Sequence, residues 1–490
     1  MSGRLLPCLG LCLALAGCIT TPLQNRDWLA VRTAHYDIWS SLGEDETARL
    51  AIEIERFRAA AEFIWGRAIP AAPVRTRIYA FDDRGIARPF AFRSQRSYLL
   101  PRQRGDVIVL RTGDGWEGDA RTPLKLEYAR RLFWNASPDA LPPWFEEGLP
   151  QLASTLEIRG EGATVGALRQ DHVHTLRESQ WIPFDRLLAA SDLIHWSSLE
   201  RALFEAEAWA LCHYLVFSEE RRAGAAGALA EFRARLERGI PAAEAARTAL
   251  GVNLQQAVWT HITARELDSL SVRIRSGRTP PVARAVSRQE ILEELGWLSL
   301  AIGEPDQARR YLESALALNA DSARALAGLA DALASTGDLS SADARYRKAQ
   351  ALDPDDPFLQ LGWANALLAR AAGTDDPAER ARLASQARDH YRRSLDLPGD
   401  LPEAHAGLAA TYLLDGEDAA LGRAHVHTAL ALLPGDAAIR FVGARLALAV
   451  GNRGEARSEA TQLLTRARSE SDLEAARSLL ERIDARAAIH

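Results

Sequence analysis

Hydrophobic positions in the first half of the chain change period several times. The β-branched and aromatic stretches 31–39, 74–80 and 106–110 predict strands, because side chains on a pleated strand point alternately to its two faces. Between the first two, Leu50, Ile52, Ile54, Phe57, Ala61 and Ile64 follow a helical period and predict a long amphipathic helix over 44–65. Thr122 is a good N-cap and Pro123 a good first helical residue, so another helix is expected from there to about Asn135. Beyond Glu147 the pattern is mostly helical to about 268, with a turn into a short helix at 182–188 and a long helix over 199–217. Strands and a helix ahead of a helical stretch read as an α+β domain.

From about 289 the pattern repeats. At a period of 34, segments 289–322 and 323–356 align Leu295 with Leu329, Gly303 with Gly337, Ala308 with Ala342, Leu312 with Tyr346 and Ala315 with Ala349. This is the tetratricopeptide repeat (TPR) pattern, in which small residues let paired helices approach and larger ones fill the gap. A third unit starts near Pro357, with its second helix delayed by an insertion at 372–382; a fourth starts near Pro402 and a fifth near Ala437. Ser471 and Glu474 open a last helix with Leu473, Ala476, Leu480 and Ile483 on one stripe, which suits it to cap an all-α solenoid of about five repeats over 289–490.

Candidate chemistry gathers at Leu126-Glu127-Tyr128-Ala129-Arg130 and at 141–149, Leu-Pro-Pro-Trp-Phe-Glu-Glu-Gly-Leu. Residues 126 and 130 lie one turn apart on one helix face. In zinc peptidases that spacing carries His-Glu-x-x-His, two imidazoles binding Zn²⁺ and the Glu activating the metal-bound water. The frame "LEYARRLF…LPPWFEEGLPQLAST", with "EAEAWALCHYL" further on, resembles the gluzincin-type domain of the peptidase MA-like (DUF1570-like) group over about 28–267. The resemblance implies a small sheet plus helices over 18–275, with the histidine positions on Leu126 and Arg130, the catalytic Glu on Glu127 and the third zinc ligand on Glu147. Leu offers no lone pair and Arg only donors, so the resemblance carries the fold while the zinc it would bring lacks two of its ligands. Without a metal, Glu127 is read as a vestigial carboxylate, part of the fold. The alternative is an active metallopeptidase drawing unorthodox ligands from Glu127, Glu146 or Glu147. Electrostatics offers Arg130 as the replacement cation, paired to Glu147; the competing expectation is that Arg130 turns to solvent as Arg131 is taken to do.

Residues 1–17 hold Arg4 and then an apolar run, 5–16, too short to span a bilayer, and read as a secretory signal. Leu15-Ala16-Gly17-Cys18 resembles the bacterial lipobox, which implies a lipidated Cys18 as the mature N-terminus, and Ile19 after it favours the outer membrane, facing the periplasm. Of the four cysteines, Cys8 and Cys12 leave with the signal and Cys18 is acylated. Cys212 is left as a buried small hydrophobe.

A net charge of −6 and a pI of about 6.1, with no Lys/Arg run, exclude a nucleic-acid surface. Among the 11 histidines, His172 and His174 read as solvated loop residues. His195 and His213 read as packing or hydrogen-bonding residues, and His425 and His427 as facing apart on a repeat helix. The solenoid's groove, with Trp297, Asp331, Phe358, Asn365 and Leu413 as candidate lining, is expected to take a protein or peptide, and two prolines near 279–281 suggest that the two bodies separate there.

Overall fold

The computed structural model describes residues 22–81, 90, 97–111, 122–137, 141–190, 193, 196–218, 225–251, 253–264, 269–274, 281–414, 419–467 and 470–485. The signal 1–17, Cys18, His195, Thr279 and Pro280 lie outside them. Stretch 31–39 is a hairpin rather than one strand: β1 (Leu29–Arg32) and β2 (Tyr36–Ser40) pair antiparallel, and the Tyr36 N–H donates to the Thr33 hydroxyl (3.0 Å) to close the turn. Helix α1 (Glu44–Trp65) crosses to β3 (Thr76–Phe81), parallel to β2. Strand β4 (Tyr98–Leu100) then turns through residues 101–106 into β5 (Val107–Arg111), parallel to β3.

The helices of the first region follow: α2 (Thr122–Asn135) and α3 (Pro143–Ser154), then α4 (Gln170–Glu178), α5 (Phe184–Ala189) and α6 (Ser198–Phe217). Three shorter ones come next, α7 (Ala225–Glu237), α8 (Ala242–Leu250) and α9 (Leu254–Thr263). A second, three-stranded sheet of β6 (Glu157–Arg159), β7 (Gly162–Val165) and β8 (Leu270–Arg273) brackets this helical stretch. Finally β9 (Arg284–Ala285) returns to β1, so that the main sheet runs β4-β5-β3-β2-β1-β9.

Both faces of the main sheet are buried, which is why Val107-Ile108-Val109-Leu110 is apolar without alternation. Ile78, Ala80, Ile108 and Leu110 point into the core under α1, where Leu50, Ile54, Phe57, Ala61 and Ile64 form the buried stripe and Ile52 sits at its edge. Tyr79, Phe81, Val107 and Val109 point the other way, against Ile291, Leu295 and Leu298 of the first repeat helix.

That helix, α10 (Arg288–Ala301), begins five antiparallel pairs. Its partner is α11 (Pro305–Leu318), followed by α12 (Ala323–Ser335) with α13 (Leu339–Leu352) and α14 (Pro357–Gly373) with α15 (Pro377–Asp396). The last pairs are α16 (Pro402–Thr411) with α17 (Ala419–Leu432) and α18 (Ala437–Ala449) with α19 (Arg453–Arg466), before α20 (Glu470–Ala485) closes the array. Gly303, Gly337 and Gly451 turn from first to second helix at positive φ, a conformation that glycine adopts without strain. The insertion at 372–382 lengthens the third pair to 17 and 20 residues, against 13 and 14 in the second.

The two bodies expected to separate near 279–281 pack against each other: α10 completes the core of the sheet, and the Tyr79 hydroxyl donates to Glu294 at 2.8 Å. Separation would expose the apolar faces that the sheet and α10 bury against each other. Among the described residues no helix is long and apolar enough to cross a membrane.

Candidate functional site

Helix α2 is fixed to the sheet by Tyr128, whose hydroxyl meets that of Tyr36 at 2.5 Å and whose ring stacks on Phe57 of α1. Helix α3 is buried along its whole length. It crosses α6 at Gly148, where a Cβ would lie 2.3 Å from the Ala208 carbonyl oxygen and 2.6 Å from Cys212 Sγ. No side chain fits there, and the crossing turns Glu147 towards α2.

Between α2 and α3 the Arg130 guanidinium bridges two carboxylates. Nη2 donates to Glu147 at 2.7 Å and Nη1 to Glu127 at 2.5 Å. Arg130 and Glu147 side chains are 7% and 6% exposed, whereas Glu127 is 51% exposed, so one pair is dry and the other borders solvent. Burial works against the guanidinium charge, but Glu147 and then Glu127 outweigh it and hold the pKa above the ordinary value. The group is a fixed cation where two acids converge.

Zinc does not fit these residues: one ligand position holds half-buried Leu126 and the other holds a guanidinium already engaged with both acids. Glu146, the third acid considered as an unorthodox ligand, faces away from this pair. Its Oε1 accepts both Nε (3.2 Å) and Nη2 (2.8 Å) of Arg466 from α19, with the two side chains 2% and 4% exposed. Trp134 of α2 lies beneath that guanidinium, 5.5 Å from ring centre to carbon.

Arg131 does not turn to solvent as expected but is buried. It donates to Asp106 at 3.0 Å and approaches Asp436 at the start of α18 at 3.7 Å. Asn135 accepts the Gly435 N–H at 3.1 Å, so successive turns of α2 serve the acid pocket on one face and the solenoid on the other.

The concave face of the solenoid holds a second acidic cluster, and the loop 101–106 enters it. Arg104 donates from Nη1 to Asp331 (3.1 Å) and from Nε to Glu403 (3.0 Å). Burial opposes its charge, yet Glu403 and then Asp331 keep the pKa raised. Asp331 also accepts the Tyr346 hydroxyl at 2.6 Å, and Asn365 donates to Glu403 while accepting the Tyr391 hydroxyl at 2.6 Å. Of the expected lining, Asp331 and Asn365 therefore carry polar contacts, while Trp297, Phe358 and Leu413 are partly buried against the helix cores.

A tetratricopeptide-repeat family model matches residues 299–371. The C-terminal region contains TPR repeats. Among solved structures, a thermophilic TPR protein of Thermus thermophilus is 24% identical, the match covering 39% of this chain and 99% of that one at a TM-score of 0.36. A TPR protein from Parabacteroides merdae is 12% identical over 53% of this chain and 91% of its own, at 0.31. Yeast Tom70 is 12% identical over 65% and 72%, at 0.33. A search of curated proteins finds no match to the chain.

The histidines divide. His172 is not a solvated loop residue: it lies in α4, buried against Trp209, with Nε2 3.0 Å from Gln151 Oε1, and burial lowers its pKa to about 4. His174, on the opposite face of α4, is exposed. His213 hydrogen-bonds His261 (2.9 Å) and the Gly166 carbonyl (3.1 Å), while His425 and His427 reach different neighbours, His405 and Glu455. Cys212 is buried, and desolvation raises its thiol well above the ordinary range. No motif or spacing marks Glu207, which is wholly buried in α6, accepts the Ile182 N–H at 2.7 Å and is raised by desolvation to about 8.

Proposed function

We propose that this chain is a lipid-anchored protein of the bacterial cell envelope, facing the periplasm from the outer membrane. In it a zinc-peptidase-like domain of gluzincin type, lacking catalytic metal, is joined to a protein-binding TPR scaffold. TPR arrays bind protein partners through their helical surfaces, which supports the binding role. The observation that carries the non-catalytic reading is Arg130, a permanent cation between Glu127 and Glu147 at the place where the resemblance puts zinc. Glu127 then has no metal-bound water to activate and keeps a structural role.

Two measurements test this. The purified mature protein is expected to hold no stoichiometric zinc and to show no chelator-sensitive hydrolysis of a general protein substrate; stoichiometric zinc with chelator-sensitive hydrolysis contradicts the reading. Cys18→Ala is expected to move the protein from the membrane fraction to the soluble periplasm, and retention in the membrane contradicts the anchor.

A further inference from the structure

We propose that the concave face of the solenoid is a receptor for an extended segment bearing an arginine, and that loop 101–106 of the same chain is its built-in competitor. The proposal rests on the protein-binding reading and names the chemistry of the partner. Three observations support it.

The loop crosses the array in the manner of a bound peptide. Arg102 donates to the Ala301 carbonyl at the end of α10, and Gln103 to Asp436 at the start of α18 (2.8 Å). Between them Arg104 reaches Asp331 on α12 and Glu403 on α16, with its side chain 18% exposed. Two acceptors set at Nε and Nη1 suit the planar fork of a guanidinium better than a lysine ammonium, which is a point donor.

The acids are oriented by the solenoid itself. Tyr346 of α13 fixes Asp331, and Tyr391 of α15 fixes Asn365, which in turn fixes Glu403. The recognition geometry is therefore carried by the repeats, independent of the loop that now fills it.

The loop fills only part of the groove. Cavities of about 430 and 410 Å³ flank Arg104, the first lined by Ala334, Leu339, Ala366 and Ala369, the second by Trp297, Leu300 and Ala301. A chain longer than the loop has room on both sides of the arginine. The loop is nonetheless a strong rival: Asp106 accepts the Arg102 N–H at 3.0 Å, Gly105 turns at φ +92°, and tethering gives it a high effective concentration.

The test uses the full chain and a labelled peptide covering residues 99–107. Arg104→Ala protein is expected to bind this peptide at least tenfold more tightly than wild type, since the tethered rival is gone. Replacing the peptide's own Arg104 by Ala, or combining Asp331→Asn and Glu403→Gln with Arg104→Ala in the protein, is expected to weaken binding at least tenfold. Equal binding of the Ala peptide overturns arginine recognition and leaves a protein-binding solenoid standing. Absence of binding to a folded Arg104→Ala protein overturns the receptor proposal and likewise leaves a protein-binding solenoid standing. Equal binding by wild type overturns the competitor role. If Arg104→Ala does not fold, amide exchange in Asp331→Asn replaces it: exchange across 101–106 is expected to rise at least tenfold, and unchanged protection overturns the proposal.

Discussion

The pocket between α2 and α3 and the concave face of the solenoid present the same electrostatic problem, solved over different distances along the chain. In each, acids that would repel one another converge and a guanidinium lies between them. In the pocket the cation is three residues from one acid and seventeen from the other, on adjoining helices. In the groove it comes from a different region, 227 and 299 residues from its acids, and the Glu146–Arg466 pair spans 320. The pocket should therefore survive local rearrangement of the repeats, whereas the Arg104 ion pairs in the groove and the Glu146 pair depend on docking of the two regions.

The largest effect is expected where docking and burial coincide. Arg466→Met leaves Glu146 buried without its cation and should cost about 3–5 kcal/mol in denaturant unfolding. Adding Glu146→Gln should recover part of that loss, because the stranded charge is gone. No recovery would mean that Arg466 acts through packing on Trp134 instead.

Arg130→Leu should cost less, about 1–3 kcal/mol, since one of the two acids it leaves, Glu127, is half exposed and stays hydrated. A loss as large as that of Arg466→Met would erase the distinction between a pocket at the solvent edge and a dry interdomain pair.

A smaller, pH-dependent effect is expected at Glu207, in the first region and away from both clusters. Burial keeps it protonated in the folded state to about pH 8, while an unfolded carboxyl ionises near about 4.3. In that window the folded state binds more protons, so this group's contribution to stability falls as pH rises. Glu207→Gln removes the dependence, and its melting temperature relative to wild type should improve between pH 5 and pH 8. Parallel curves for the two proteins would show that Glu207 is ionised in the folded state.

The same contrast decides what was legible in the sequence. Helices α1 and α2 and the repeats follow from periods and spacings within a few turns of chain, whereas the guanidinium facing Glu147 was expected only because the family resemblance set both residues at one site. Strands β4 and β6 to β9 have two to four residues each and bind neighbours up to 256 positions away, as Leu29 does with Ala285, so no periodicity marks them. The i,i+2 spacing of His172 and His174 carries no sign of a helix, whereas Val173 and Leu176, nearly one turn apart, are what bury α4 and His172 with it. Arg104, Arg131 and Arg466 look like surface charges until the docked regions bring Asp331, Asp436 and Glu146 to them. The one available hint of docking was the unbroken apolar run of β5, which announces a strand covered on both faces.

If, as proposed, Arg130 stands in place of a metal, restoring two histidines at 126 and 130 should recreate a zinc site. Calorimetric titration of Zn²⁺ into the Leu126→His/Arg130→His double variant, beside wild type, tests it most directly. The account predicts one-to-one zinc binding by the double variant, completed by Glu147, and none at this pocket in wild type. A folded double variant that takes up no zinc, or a wild-type protein that binds it through Glu127 and Glu147, would contradict it.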